Sequence, residues 1–290
     1  MELTLDNQFR LTCVQSHMRK DLLGKVVIIT GASSGIGEAT AYELGAAGAT
    51  LVLAARRKTR LQKVARQIRD EAGGVLVVDT DVSIAWQCKR LIERTIQEFG
   101  RIDVLFNNAG WGSYAWFEKL KLSHIKEQFE VNVFGAIHLI HETMPILMQQ
   151  RSGHIINMVS YASRVAVPPM TVYASTKYAL EGLTDALRRE LLPWGVRVSR
   201  VHPSGVTGTE YNKKASQRGG LTFKSPGIGH VSKKYVARKI HQLILHPRPE
   251  LMIGRLYDVP AFFNRYFPGL VDLVMKIYVR TRRKRDLAKK

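Results

Sequence analysis

A single α/β domain built on a doubly wound parallel sheet is what this chain predicts, on three observations. Apolar, β-branched runs alternate with segments of helical period between Lys25 and Ile253, the rhythm of βαβ units. Most of those runs are continuous rather than alternating, as strands covered on both faces are. With 290 residues, 45% of them hydrophobic, and no internal repeat or low-complexity linker, the chain suits one generous core.

The elements follow in order. Strands are expected at 26–30, 50–55, 75–79, 104–107, 154–159 and 196–201, with a shorter one at 251–253. Helical period fills the gaps at 35–47, 61–72, 83–99, 123–150, 172–192 and 233–245. The chain thus divides into a polar extension at 1–20, a catalytic domain at 21–255 and an amphipathic, basic extension at 256–290. The Gly-, Ser- and Lys-rich stretch 207–229, set between a strand and a helix, reads as an active-site lid.

Composition excludes several classes. Cys13 and Cys88 are 75 positions apart with no Cys/His cluster, so neither a disulfide scaffold nor a metal site is expected. No apolar run is read as spanning a bilayer, and the first twenty residues lack a signal peptide's apolar stretch, so a cytoplasmic protein is expected. The net charge is +20, of which +15 lies from Tyr211 onward, where 19 Lys and Arg face four acids. Such a field attracts anionic partners. Nucleic acid is not expected, because no zinc finger, helix-turn-helix or RNA-binding signature accompanies the charge.

Chemistry begins after the first strand, at Gly31-Ala32-Ser33-Ser34-Gly35-Ile36-Gly37, which opens into a helix. In that setting Gly31 allows a tight turn and Gly35 a close backbone approach to a pyrophosphate. Gly37 allows close packing on the sheet, while the helix N-terminus faces the anion, a Rossmann-type dinucleotide site. The second strand ends in Arg56-Arg57 where a carboxylate would select NAD. Two guanidinium groups suit a 2′-phosphate, so NADP(H) is the expected cofactor.

Further residues carry a family resemblance: Asp81-Val82, Asn107-Asn108-Ala109-Gly110, Asn132, Ser160 and Tyr173-x-x-x-Lys177. With the glycine turn, they make roughly 22–254 similar to the short-chain dehydrogenases and reductases. A second Tyr-x-x-x-Lys, at Tyr235 and Lys239, lacks a serine-ended strand 13 residues before it, as Ser160 stands before Tyr173, and is read as an ordinary helix face. Ser163, 10 residues before Tyr173, ranks below Ser160. The phenol of Tyr173 would protonate a carbonyl oxygen as hydride arrives, and Lys177, one turn away, would lower the phenol's pKa. Ser160 would orient the substrate oxygen.

The resemblance further implies that Lys177 serves the nicotinamide ribose, that Asn132 holds a water near it, that Asp81 and Val82 meet the adenine, and that Asn107 steadies the sheet beside the cofactor together with the Ala109-Gly110 turn. After the sixth strand the family's Pro-Gly becomes Pro203-Ser204-Gly205-Val206-Thr207, its glycine displaced by one. Contacts there are expected from Pro203, Val206 and Thr207.

An apolar pocket is expected from the segment 164–170 and from Trp111, Tyr114, Trp116 and Phe117. The function read from the sequence is hydride transfer between NADP(H) and a lipid-, steroid- or retinoid-like alcohol or ketone. The alternatives are a 3-oxoacyl-thioester reductase or a non-catalytic NADP-binding protein with a basic partner-binding end. A homo-oligomer is expected. Leu270, Val271, Leu273, Val274, Ile277 and Tyr278 are read as one apolar helix face running into Arg280, Arg282, Arg283, Lys284 and Arg285, which suits an anionic membrane surface as well as packing on the protein.

Overall fold

The computed structural model describes residues 20–222, 229–254 and 258–287. The polar extension, Lys20 apart, lies outside the described residues. Seven parallel strands form the sheet in the order β3-β2-β1-β4-β5-β6-β9: β1 (Val26–Thr30), β2 (Thr50–Ala55), β3 (Gly74–Asp79), β4 (Val104–Asn107), β5 (Gly153–Met158), β6 (Val196–Pro203) and β9 (Glu250–Ile253). The two-residue strands β7 (Val206–Thr207) and β8 (Val231–Ser232) pair apart from it.

Both faces of the sheet are covered, which is why its strands carry apolar runs. Helices α1 (Gly35–Ala46), α2 (Lys58–Ile68) and α8 (Lys233–Leu245) bury Leu44, Leu61, Val64, Ile240 and Leu243 on one face. On the other, α3 (Ala85–Phe99), α5 (Gly135–Gln150) and α6 (Thr171–Glu190) bury Leu91, Ile92, Leu139, Leu147, Leu180 and Leu187. Fully burying one such side chain contributes about 1.5–3 kcal/mol, so these two layers hold the sheet rigidly enough to aim the loops at its carboxyl end. The order reverses between β1 and β4, and the crevice opens there.

The structure departs from the sequence reading in four places. The helix expected at 123–150 is α4 (Leu122–Phe129) joined to α5 through a π-helical turn, Glu130–Phe134, which buries Asn132. An inserted residue of this kind re-aims a side chain within an otherwise continuous rod. The same rod, Leu122–Gln150, contains an 18-residue window of mean hydropathy 1.2 and is long and apolar enough to cross a membrane, contrary to the expectation that no such run exists; half of that window is buried inside the fold. The lid contains a helix, α7 (Tyr211–Gly219). Beyond β9 come two helices, α9 (Asp258–Tyr266) and α10 (Pro268–Leu287), and α10 divides the residues read as one apolar face. Val271 and Tyr278 turn inward while Leu270, Leu273, Val274 and Ile277 are exposed, because successive residues rotate by about 100° and the stripe is wider than the contact.

Candidate active site

The loops following β1 to β6 enclose one cleft of about 1060 Å³ at the carboxyl end of the sheet. Its floor begins at the glycine turn. A Cβ on Gly37 would lie 2.6 Å from the Gly31 carbonyl oxygen and 2.7 Å from Asn108 Nδ2, so the bare backbone lets α1 sit directly against the β4 loop. Thr30 locks that loop: its hydroxyl accepts from the amides of Asn108 and Ala109, both at 2.9 Å, and its carbonyl accepts from Asn108 Nδ2 at 2.8 Å.

At the far end of the cleft the arginines divide their work. Arg57 donates to Ser33 Oγ at 3.0 Å and Ser34 Oγ at 2.7 Å, which holds its guanidinium over the glycine turn. Arg56 instead pairs with Asp81 at 3.6 Å. Glu210, at the start of the lid helix, faces Arg57 at 3.7 Å and Arg60 at 3.3 Å. Its carboxyl is held down to about 2, first by the hydrogen bond from Lys214 and then by Arg60.

The opposite end holds the reactive side chains. Ser160 leaves β5 in extended backbone, its Oγ accepting from the Ala162 amide at 3.1 Å. Tyr173 and Lys177 lie one turn apart on α6, and Lys177 Nζ stands 5.7 Å from the Tyr173 ring centroid while donating to the Met158 carbonyl at 2.8 Å. Burial lowers Lys177 to about 8. Burial also raises Tyr173, and the Ser160 hydroxyl, then that of Tyr211, pulls it partly back. The expected lowering of the phenol by Lys177 is not seen: burial raises Tyr173, and the Lys177 ammonium is turned to the Met158 carbonyl.

Asn132 is buried in the π turn, where it accepts from the Trp111 amide at 2.9 Å and donates to Trp111 O at 2.8 Å and Thr176 Oγ1 at 3.1 Å. It joins the β4 loop to α6 beside the site: a Cβ on Gly110 would lie 3.1 Å from Asn132 Oδ1 and 3.6 Å from Lys177 Nζ.

Of the residues picked from sequence, Gly31, Ser33, Ser34, Gly35, Ile36, Arg56, Arg57, Asp81, Val82, Ala109, Gly110, Ser160, Tyr173, Lys177, Pro203 and Val206 line the cleft. Gly37, Asn107 and Asn132 are buried behind its wall, and Thr207 is exposed outside it. Asn107 donates to Asn157 Oδ1 at 2.9 Å, binding β4 to β5, and Thr207 reaches Val231 O at 3.3 Å in the small β7–β8 pair. Ser163 is turned away, giving its hydroxyl hydrogen to Ser160 O at 2.6 Å. The rival pair Tyr235 and Lys239 lies on α8, where Lys239 donates to Gln242 at 3.0 Å. Trp111, Tyr114, Val165, Val167 and Met170 line the cleft as expected of an apolar pocket. Trp116 instead donates to Asp286 at 3.1 Å, and Phe117 is exposed.

Two groups of cleft residues were not assigned to the site from the sequence, although the lid and the helical stripe that carry most of them were read. Tyr211, from the lid helix, packs on Tyr173 with ring centroids 5.6 Å apart. Pro260, Val274, Met275 and Tyr278, from α9 and α10, close the apolar end. The buried Trp111 Nε1 has no hydrogen-bond partner, whereas the Tyr211 hydroxyl engages Tyr173 and that of Tyr278 engages Arg282, and Trp111, Tyr211 and Tyr278 all line the cleft.

The comparisons with known proteins agree with this geometry. The sequence profile described as short chain dehydrogenase matches residues 25–219. An uncharacterized oxidoreductase of Staphylococcus saprophyticus is 40% identical over 196 residues, 67% of this chain and 78% of that protein. An 11-beta-hydroxysteroid dehydrogenase A of Sesamum indicum is 39% identical over 201 residues, 69% of this chain but 57% of the relative. Among solved structures, an alcohol dehydrogenase from Thermococcus sibiricus complexed with 5-hydroxy-NADP superposes with a TM-score of 0.71 at 30% identity, covering 80% of this chain and 97% of that one. A short-chain dehydrogenase/reductase from Burkholderia phymatum in complex with NAD gives 0.78 at 27% identity, covering 86% and 95%.

Proposed function

The chain belongs to the short-chain dehydrogenase family and is an oxidoreductase, and on that footing we propose that it moves a hydride between NADP(H) and an apolar ketone or secondary alcohol. The observation that carries this is the meeting of Ser160, Tyr173 and Lys177 on one wall of a cleft with a guanidinium-and-glycine end and an apolar end. The residues present fit the dinucleotide. The glycine turn and the N-terminus of α1 would hold the pyrophosphate, Arg57 a 2′-phosphate, Val82 and Asp81 the adenine, and Lys177 with Tyr173 the nicotinamide side. When bound, the nicotinamide supplies or accepts the hydride.

The chain's own groups then manage the oxygen. Ser160 donates a hydrogen bond to it, and Tyr173 donates its phenolic proton as negative charge develops there. Lys177 keeps a positive charge beside the phenol below pH of about 8, which favours proton loss from Tyr173. Asn132 and Thr30 hold the β4 loop so that these groups are aligned before substrate arrives. An apolar body carrying a hydrogen-bond acceptor is supported by the cleft wall, which Val165, Val167 and Met170 line together with Trp111, whose buried Nε1 has no partner. The hydroxysteroid dehydrogenase relatives support the same class.

The test is NADPH oxidation across steroid, retinoid, 3-oxoacyl-thioester and sugar carbonyls, with Tyr173→Phe beside the parent. The steroid and retinoid arms should turn over best. Tyr173→Phe should lower kcat by at least roughly a hundredfold while NADPH binding, read by fluorescence, stays within about twofold. Near-parental turnover in Tyr173→Phe, or a preference for sugar carbonyls, would overturn the reading.

A further inference from the structure

The C-terminal helices show two different faces. Inward, Val271, Met275 and Tyr278 are partly buried, and Met275 and Tyr278 line the apolar end of the cleft. The basic end of α10 is latched to the catalytic domain: Arg283 pairs with Glu118 at 2.9 Å and stacks 4.3 Å from the centre of the Trp116 ring, while Trp116 donates to Asp286 at 3.1 Å. Asn264 on α9 donates to the Arg164 carbonyl at 3.0 Å.

Outward, the same helices and the residue between them present Phe263, Tyr266, Phe267, Leu270, Leu273 and Ile277, each between 38% and 64% exposed. Of the twenty large apolar side chains exposed among the described residues, eight lie on these two helices and a ninth, Phe267, lies between them. A surface of that kind on a soluble protein marks an interaction site. Its charge says with what: Arg265, Lys276, Arg280, Lys284 and Arg285 are exposed on these two helices, with Asp272 the one exposed acid described there. Neither helix is suited to spanning a bilayer, because α9 has 9 residues and the last third of α10 is dominated by arginine and lysine. Apolar and aromatic side chains flanked by cations lie in the headgroup layer of an anionic bilayer, where rings enter the acyl boundary and guanidinium groups meet phosphate.

Val274 joins the two faces, since it is 57% exposed and also lines the cleft. From this continuity we infer that α9 and α10 are a shared wall between an anionic lipid surface and the substrate end of the cleft, so that an apolar substrate partitioned in the lipid enters past Val274 without crossing bulk water. The purpose of the surface, though not its binding, rests on the apolar substrate proposed above.

The experiment uses the full chain with vesicles of phosphatidylcholine alone and of phosphatidylcholine with phosphatidylserine. Sedimentation with the anionic vesicles should exceed that with the neutral ones by roughly tenfold and should fall at high salt. The variant Phe263→Ser/Phe267→Ser/Ile277→Ser should remain in the supernatant while its far-ultraviolet circular dichroism and NADPH binding match the parent. Arg280→Gln/Lys284→Gln/Arg285→Gln should lose the preference for anionic lipid. Parental protein that stays in the supernatant with both vesicle types overturns the inference. So does a parental dimer that the serine variant dissociates without any change in sedimentation, because the face is then covered by a second copy. Sedimentation reads docking whatever carbonyl the enzyme reduces, so failure of the substrate panel and failure of docking are separate results.

Discussion

On the proposed reading, cofactor choice turns on Arg57. The sequence puts Arg56, nearer the end of β2, first and Arg57 second, but Asp81 engages Arg56 whereas two serines of the glycine turn hold Arg57 in place, which reverses that order. A guanidinium already oriented loses little freedom on meeting a phosphate. Arg57→Ala should therefore raise KM for NADPH by about ten- to a hundredfold, the loss of a charge-assisted contact worth about 1.5–3 kcal/mol, and change KM for NADH far less. Steady-state kinetics with the two cofactors decides it; equal losses would assign Arg57 to the turn's structure rather than to the 2′-phosphate.

Among the elements, β9 adds an ionic cluster to its pairing with β6 and to the burial of Leu251 and Ile253. Its first residue, Glu250, meets His202 at 2.9 Å and Arg200 at 3.3 Å, and also Arg164, while Arg164 continues to Glu181 at 3.1 Å. His202 Nδ1 lies 3.2 Å from the Ser160 carbonyl, so the cluster underpins the backbone that presents Ser160 to the cleft. The hydrogen bond from His202, with those from Arg200 and Arg164, holds Glu250 well below the usual carboxylate range despite its partial burial. A depressed folded-state value means that the stabilisation is complete above the ordinary glutamate pKa of about 4.3 and is lost as pH falls below it toward the folded value. Glu250→Gln should cost about 1–3 kcal/mol at neutral pH, toward the lower end because the group is partly solvated. Denaturant unfolding at pH 7 and pH 3.5 should show the gap between parent and variant narrowing in acid; a pH-independent gap would place the effect in packing.

On the scale of the whole molecule, the C-terminal helices are held to the catalytic domain at the α10 end by contacts that are mostly polar and partly exposed. Elements fastened this way open at lower free energy than the sheet. Arg283→Gln removes both the pair with Glu118 and the stacking on Trp116. Amide exchange across 268–287 should quicken by about two- to fivefold while β1 keeps its protection, as surface pairs of this kind are individually weak. Uniform acceleration over the chain would mean that α10 unfolds only with the whole domain.

The parallel sheet, the glycine turn, Ser160 and the Tyr173–Lys177 pair were legible in the chain because each depends on local physics. Continuous β-branched runs need two covered faces, glycines sit where a Cβ would strike Gly31 and Asn108, and an i, i+4 spacing alone places an ammonium beside a phenol. Three features depended instead on contacts between distant segments. Tyr211 reaches Tyr173 only because the lid helix crosses the cleft, and Asn132 is aimed at the β4 loop by a π turn that the apolar period hides. The stripe on α10 had one period but two destinations. Periodicity tells which side chains share a helix face, and only the packing of that helix over the cleft decides which part of the face is buried and which stays exposed.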